Sequence, residues 1–247
     1  MTVSWLSQGE KDVLTSLDWL GAREAERAAR MRHPKRRNEF LLARWTAKCA
    51  LARALELPPD AAALARVEIR NAPSGAPEAF VDAAPVPLAV SITDRAGWAV
   101  CAVRGGAEAI GCDLELVEPR SPAFVTDYLT ESEQRTVLAA SEQDRPELAN
   151  LIWSAKESAL KVLRTGLRRD TRSVEVRLEG GAPEDGWLPL WVQSEEGRRF
   201  PGWWRRFGLF LLTIAAEVEI PPPVAIVHPP GLAGGVPSES WLEGHRW

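Results

Sequence analysis

Two carboxylates stand two positions apart, Asp113 and Glu115, in the stretch IGCDLE (110–115). The surrounding apolar residues predict a β-strand. On a strand, residues i and i+2 face one side about 6.6 Å apart, at ~3.3 Å per residue. Two acids on one face repel unless a cation lies between them, so a hard divalent cation is a natural partner. Gly111 lets a neighbouring backbone or ligand come close. Cys112 and Leu114 face the other way, into a core. A solvent-facing edge strand with alternating polar residues explains the spacing equally well.

A second constellation is WSAKESALK, Trp153 to Lys161. On a helix, Trp153, Glu157 and Lys161 follow at i, i+4 and i+8 and share a face. Glu before Lys at this spacing is also an ordinary surface ion pair, worth ~0.2–0.5 kcal/mol. A third is the stripe of Arg37, Arg44 and Lys48. Offsets of 7 and 11, at ~100° per residue, bring all three to one side of a helix. Such a stripe can grip phosphates or be a wet helical face. From Arg23 to Lys48 there are nine Lys/Arg against three Glu, which suits a phosphate-rich ligand or a solvated surface.

The elements that must position these groups are readable from periodicity and punctuation. Helices are predicted over 18–31 and 35–55, separated by His33-Pro34, with a strand over 67–70. Residues 71–77 form a Pro/Gly loop. Strands over 88–93 and 98–103 flank a turn at Asp94–Gly97, and Gly105-Gly106 turns into a third strand at 109–116. One helix is expected over 124–140, where Thr130–Glu133 can start a turn, and another over 147–164. Strands follow at 173–178, 188–192 and 207–218. Pro221–Pro223 ends the last one. The tail reads as irregular, with Trp241 and Trp247 docking on the body.

The chain also repeats itself. RWTAKCALARALELPPDAAALARVEIR (44–70) parallels IWSAKESALKVLRTGLRRDTRSVEVRL (152–178). Each block is helix, linker, strand, and each is followed by further apolar strands. Duplication implies two similar halves packed as a pseudo-dimer, with a cleft between them. Glu157 aligns with Cys49, so the acid occurs in one half only and implies a one-sided task. The division is residues 1–117, carrying the cationic helix with the two-acid strand at its end; 118–220, carrying the Glu157 helix; and a tail, 221–247. The fold class expected is mixed α/β, each half a small antiparallel-rich sheet on a long helix.

Bulk properties exclude some classes. The 247 residues are 45% hydrophobic, enough for a core without disulfide staples. No basic segment precedes an apolar run at the N-terminus, and the longest apolar run, 209–216, is too short to span a bilayer. Three cysteines without regular spacing fit a reducing cytoplasm rather than a disulfide framework. Three scattered histidines argue against zinc.

The pair IGCDLE and WSAKESALK, about forty residues apart, resembles the linked signature of the Sfp-type 4′-phosphopantetheinyl transferases, G-x-D-x-E then W-x-x-K-E-x-x-x-K. Gly111, Asp113, Glu115, Trp153, Lys156, Glu157 and Lys161 all match. KRRNEFLLARWTAK resembles the family's R-x-x-E-F-x-x-x-R helix, SGAP (74–77) its adenine-side loop, and GLRRDTRSVEV its continuation after the signature helix. The resemblance covers roughly residues 32–220. It implies transfer of phosphopantetheine from coenzyme A to a serine of an apo acyl or peptidyl carrier protein, with release of 3′,5′-ADP. It implies Mg²⁺ (or Mn²⁺) on Asp113, Glu115 and Glu157, with Glu157 as base for the serine and Lys161 on the β-phosphate. Coenzyme A contacts are implied for Arg37, Arg44, Lys48, Gly75, Pro77, Thr93, Asp94, Arg95, Lys156 and Lys161. Arg120, Phe124 and Tyr128 fall where relatives meet the carrier. Such an enzyme is expected to be a cytoplasmic monomer serving polyketide, nonribosomal peptide or fatty acid synthases, without nucleic-acid or membrane partners. Two departures stand out. The chain has SITD where the family shows S-x-S-H, which puts Asp94 in a phosphate-binding histidine's place, either turned away or paired with neighbouring Arg95, which then supplies the positive charge; and Ala76 replaces a frequent lysine. Another Mg²⁺-dependent phosphoryl or nucleotidyl transferase, or a non-catalytic carrier-binding scaffold, are the alternatives.

Overall fold

The structure is a computed structural model whose described residues are 1–238. The expected docking of Trp241 and Trp247 lies outside them. The chain opens with β1 (Ser4–Gly9), α1 (Ala22–Arg30), α2 (Pro34–Ala54) and α3 (Ala61–Arg66). Strands β2 (Val67–Asn71), β3 (Pro77–Val81), β4 (Ala84–Pro85), β5 (Leu88–Arg95), β6 (Trp98–Gly105) and β7 (Ile110–Leu116) follow. Next come α4 (Pro122–Tyr128), α5 (Glu131–Ala139) and α6 (Arg145–Val162), then β8 (Val174–Leu178), β9 (Leu188–Ser194), β10 (Arg199–Phe207), β11 (Phe210–Ala216) and β12 (Val224–Ala225). The sheets run β12-β1-β6-β5, β2-β3-β4 and β7-β11-β10-β9-β8. The class is mixed α/β, as expected, and the sheets are antiparallel apart from the β1–β12 pair.

Alternation along the strands sorts side chains into layers. Val100 and Ala102 of β6 share a core with Cys112, Leu114, Leu212 and Ile214 of β7 and β11. The intervening Cys101 and Val103 pack with Ala47, Ala50 and Leu51 of α2. On the far side, Leu211 and Ala215 of β11 meet Ile152, Ala155 and Ala159 of α6. The layers are therefore helix, sheet, sheet, helix, with two sheets face to face in the middle.

The repeat read in the sequence has an atomic counterpart. Lys48 of α2 is fully buried and donates to the carbonyls of Leu64 and Val67. Lys156 of α6 is also fully buried and donates to the carbonyls of Thr171 and Val174. Each ammonium also meets one buried carboxylate, Glu24 at 2.6 Å and Glu133 at 2.7 Å. The second oxygen of each carboxylate accepts a strand N–H, from Ile69 and from Val176. Each acid also accepts the N–H at the start of its own helix, from Gly21 and from Thr130. Helix, linker and strand are thus pinned by the same cage in both halves.

Several elements differ from the sequence expectation. The strand Ile110–Leu116 is hydrogen-bonded along its whole length to β11, Ile110 opposite Ala216 through Leu116 opposite Phe210. A boundary at residue 117 therefore cuts between β7 and its own sheet. The single helix over 124–140 is two, because the Thr130–Glu133 capping box begins a new helix at Glu131. The strand over 207–218 is the second arm of a hairpin whose first arm, β10, was missed. A Cβ on Gly202 of that arm would overlap the Ile214 carbonyl, so the sheet needs that glycine. The short elements β1, β3 and α3 were also missed. The tail is not irregular throughout: β12 adds to β1, and the Val236 carbonyl accepts the Trp98 indole N–H at 3.0 Å.

Candidate active site

β7 lies at the edge of its sheet. Its open side is covered by side chains of β5 rather than by a backbone ladder. The N–H of Cys112 donates to Ser91 Oγ (2.9 Å) and that of Leu114 to Thr93 Oγ1 (3.2 Å). This satisfies strand-edge donors that would otherwise be exposed or orphaned. On the other flank α6 comes so close that a Cβ on Gly111 would overlap the Ser158 carbonyl oxygen. Ser154 Oγ donates to the Asp113 carbonyl, which fixes helix against strand. We expect Gly111→Ala to lower stability by about 1–3 kcal/mol, the usual cost of overpacking, read as a fall in the urea midpoint at unchanged slope.

This contact aligns one helix face with the two acids. On α6, Trp153, Glu157 and Lys161 are half-buried while their neighbours are buried. Lys161 Nζ donates to Asp113 Oδ1 (2.9 Å) and to the Cys112 carbonyl. Burial works to lower the Lys161 pKa, but the Asp113 carboxylate overrides it and the net direction is up. Thr93 Oγ1 donates to the same Asp113 oxygen. The other, Oδ2, is buried and has no partner among the described residues, and the same is true of Glu157 Oε1. Two orphaned carboxylate oxygens suit a hard cation, which takes oxygen ligands. Glu115 is different. Its Oε1 accepts from Trp153 Nε1 (2.8 Å), and its Oε2 from Arg120 (2.9 Å) and Arg95 (3.3 Å). Among the described residues no group of three acidic, His or Cys side chains is arranged to hold a metal.

Burial, reinforced by Asp113, raises Glu157 from its ordinary 4.5 to about 7, against the pull of Lys161. Its aligned position in the other half, Cys49, is a thiol that burial pushes up to about 11 and holds neutral. Because folding raises the Glu157 pKa, its stabilising contribution is complete below about 4.5 and lost as pH rises through about 7. Metal-free Glu157→Gln should therefore resist urea better than the parent at pH 8, with the gap closing toward pH 5. A gap independent of pH would mean that this carboxyl is not elevated.

Beside this cluster opens a cleft of about 920 Å³. Ser74–Pro77 and strands β3 and β5 form one wall, and Lys161, Arg164 and Arg168 stand on the other. Arg168 donates across the mouth to the Ser74 carbonyl. Gly75 and Pro77 thus line the same cavity as Lys161.

The remaining expected residues scatter. Lys48 and Lys156 are enclosed in their cages, with every ammonium contact directed to protein, so neither faces a ligand. Arg44 is buried too, with Glu24 at 3.7 Å, Asn71 at 3.4 Å and the Phe40 ring beneath its guanidinium. Arg37 stays half-buried at the surface end of α2, so the stripe runs from surface into core. The Thr93 hydroxyl is spent on the β5–β7 joint. Arg95 does not pair with Asp94; it reaches Glu115 and Glu118 (2.9 Å). Asp94 lies exposed on the other face of β5, lining a separate 270 Å³ cavity with Glu10, Lys35, Asn38 and Glu39. Arg120 points inward to Glu115 and Asn150 instead of outward to a partner. Phe124 and Tyr128 stack around Trp153 at 5.2 and 5.0 Å, with Tyr128 40% exposed. Sequence reasoning missed Glu118, Asn150, Arg164 and Arg168. Only the arginines carried a signal, their position just after the signature helix.

Carboxylates from a strand and a helix thus stand beside a lysine that lines a cleft also lined by Arg164 and Arg168. Comparison with known proteins shows what the chain is similar to. Residues 109–191, which span both signatures, match the 4′-phosphopantetheinyl transferase superfamily. Over 224 residues, 91% of this chain and 88% of the relative, the protein is 25% identical to a 4′-phosphopantetheinyl transferase from Bacillus subtilis. The resemblance read in the sequence is thereby borne out. No described helix is long and apolar enough to cross a membrane.

Proposed function

We propose that this protein transfers the 4′-phosphopantetheine group of coenzyme A to a serine of an apo acyl or peptidyl carrier protein, with Mg²⁺ and release of 3′,5′-ADP. The observation that carries the reading is the pair of buried, unpartnered oxygens, Asp113 Oδ2 and Glu157 Oε1, flanking Lys161 at the cleft. Those two carboxylates would hold the ion; when bound, it supplies charge neutralisation at the pyrophosphate. Glu157 is the base for the serine proton, directly or through a water. Lys161 stabilises charge on the phosphoryl oxygens. Coenzyme A enters the 920 Å³ cleft along Gly75 and Pro77, with Arg164 and Arg168 as rim cations. Tyr128 and Phe124 face the incoming carrier.

The test is the intact mass of an apo carrier protein after incubation with this protein, coenzyme A and Mg²⁺. A gain of one phosphopantetheine that EDTA abolishes is expected. No gain with any of several carriers, together with no coenzyme A binding by calorimetry, would leave the scaffold alternative standing.

A further inference from the structure

The three acids of the signature do not do the same work here. We infer that Glu115 is a positioning residue rather than a metal ligand: it locks Trp153 and the aromatic wall formed with Phe124 and Tyr128, and leaves the cation to Asp113 and Glu157. The inference rests on the proposed transferase reading and divides its carboxylates.

Glu115 is buried and Arg95 and Arg120 are largely so, with side chains 11, 15 and 10% exposed. Both Glu115 oxygens are engaged, by an indole N–H and two guanidinium groups. The acid partners of α6 also separate the two strand carboxylates. Asp113 bonds Lys161 and Glu115 bonds Trp153, residues eight positions apart, or about 12 Å of helix. The two strand acids thus engage different helix residues, with Glu157 between those partners in the sequence of α6. Turning Glu115 onto a cation beside Asp113 would cost the Trp153 indole its acceptor and take one acceptor from each of two guanidinium groups, leaving Arg95 with Glu118 and Arg120 with Asn150. Removing one partner from a buried, charge-paired group is among the costlier changes in a protein. It would also set a divalent ion against two arginine cations.

The clamp has a clear mechanical output. Trp153 packs edge-on against Phe124 (5.2 Å) and Tyr128 (5.0 Å), and the Arg120 guanidinium lies 4.6 Å over the Phe124 ring. Arg120 also holds Asn150, whose amide donates to the Glu118 carbonyl, and Arg95 binds the Glu118 carboxylate. Glu115 is thus the common acceptor for groups from β5, the segment before α4, and α6. These set the angle of the short α4 helix and of the half-exposed Tyr128.

Mn²⁺ binding, followed by electron paramagnetic resonance with coenzyme A present, separates the roles. Asp113→Asn and Glu157→Gln should each weaken Mn²⁺ by more than about tenfold, and Glu115→Gln by less than about threefold. In transfer assays Glu115→Gln should raise the carrier KM by about tenfold, with coenzyme A KM little changed. Trp153→Phe, which keeps the ring and removes the indole N–H, should do the same, and the double variant should be no worse than either single one. Loss of Mn²⁺ in Glu115→Gln matching that in Asp113→Asn would overturn the inference and leave the transferase reading intact. Additive carrier effects of Glu115→Gln and Trp153→Phe would overturn it as well. Failure of the parent protein to bind Mn²⁺ would sink the metal assignment proposed above, and this division with it.

Discussion

Glu157→Gln should lower the rate of carrier modification by about 10³-fold, within the range that general bases contribute, while the far-ultraviolet dichroism stays unchanged. The side chain keeps its size, and its Oε1 has no described hydrogen-bond partner to lose. What disappears is a carboxyl poised near neutrality and one of two oxygens free for a cation. Coenzyme A affinity measured without metal should change little, because the cleft walls at Ser74–Pro77 and Arg164–Arg168 are untouched. A variant retaining more than a tenth of parental activity would remove Glu157 from the chemistry and return the Glu157–Lys161 spacing to an ordinary helix-surface pair.

The largest stability effect is expected one residue earlier. Lys156→Met should cost about 3–5 kcal/mol, the usual loss when one member of a buried ion pair is removed. The Glu133 carboxylate would remain buried without its cation, and the Thr171 and Val174 carbonyls without their donor. At ~2–4 °C per kcal/mol for a chain of this size, Tm should fall by about 6–20 °C. Lys48→Met should behave alike, since Glu24 and the Leu64 and Val67 carbonyls form the matching cage. Adding Glu133→Leu to Lys156→Met should recover only part of the loss, because Glu133 also accepts the N–H groups of Thr130 and Val176. Full tolerance of Lys156→Met would show that the cage contributes no net stability. The W-x-x-K-E signature thus joins two jobs in adjacent residues: a lysine that anchors the helix and a glutamate that uses it.

How much was legible follows from the range of the signal. Trp153, Glu157 and Lys161 were read as one face because helical spacing is local, and the structure leaves those three half-buried on α6. The capping box at Thr130 was read for the same reason, but not its consequence, two helices in place of one. The cationic stripe was misread because spacing gives direction around a helix and not depth. Lys48 shares its side of α2 with Arg37, yet one is caged in the core and the other is at the surface. β10 was missed because Pro201 and Gly202 oppose a strand locally, while pairing with both β9 and β11 imposes one. Arg95 was assigned to its chain neighbour Asp94, although side chains at i and i+1 of a strand point to opposite faces. It crosses to Glu115 and Glu118 on the neighbouring segment instead.

By itself the sequence determined the mixed fold class, the linked signatures, the repeated helix–linker–strand block and the one-sidedness of Glu157. All of these are carried by residue type and short spacing. Only the tertiary structure decided which charges are available. Lys48, Lys156, Glu24 and Glu133 are consumed by packing. Glu115 is taken by Trp153 and two arginines. One oxygen each of Asp113 and Glu157 is left unpaired. The reason is that a charged group's role depends on the partners that reach it after burial. Apart from Arg120, five residues from Glu115, those partners come from segments 20 to 38 residues away, which no local pattern encodes.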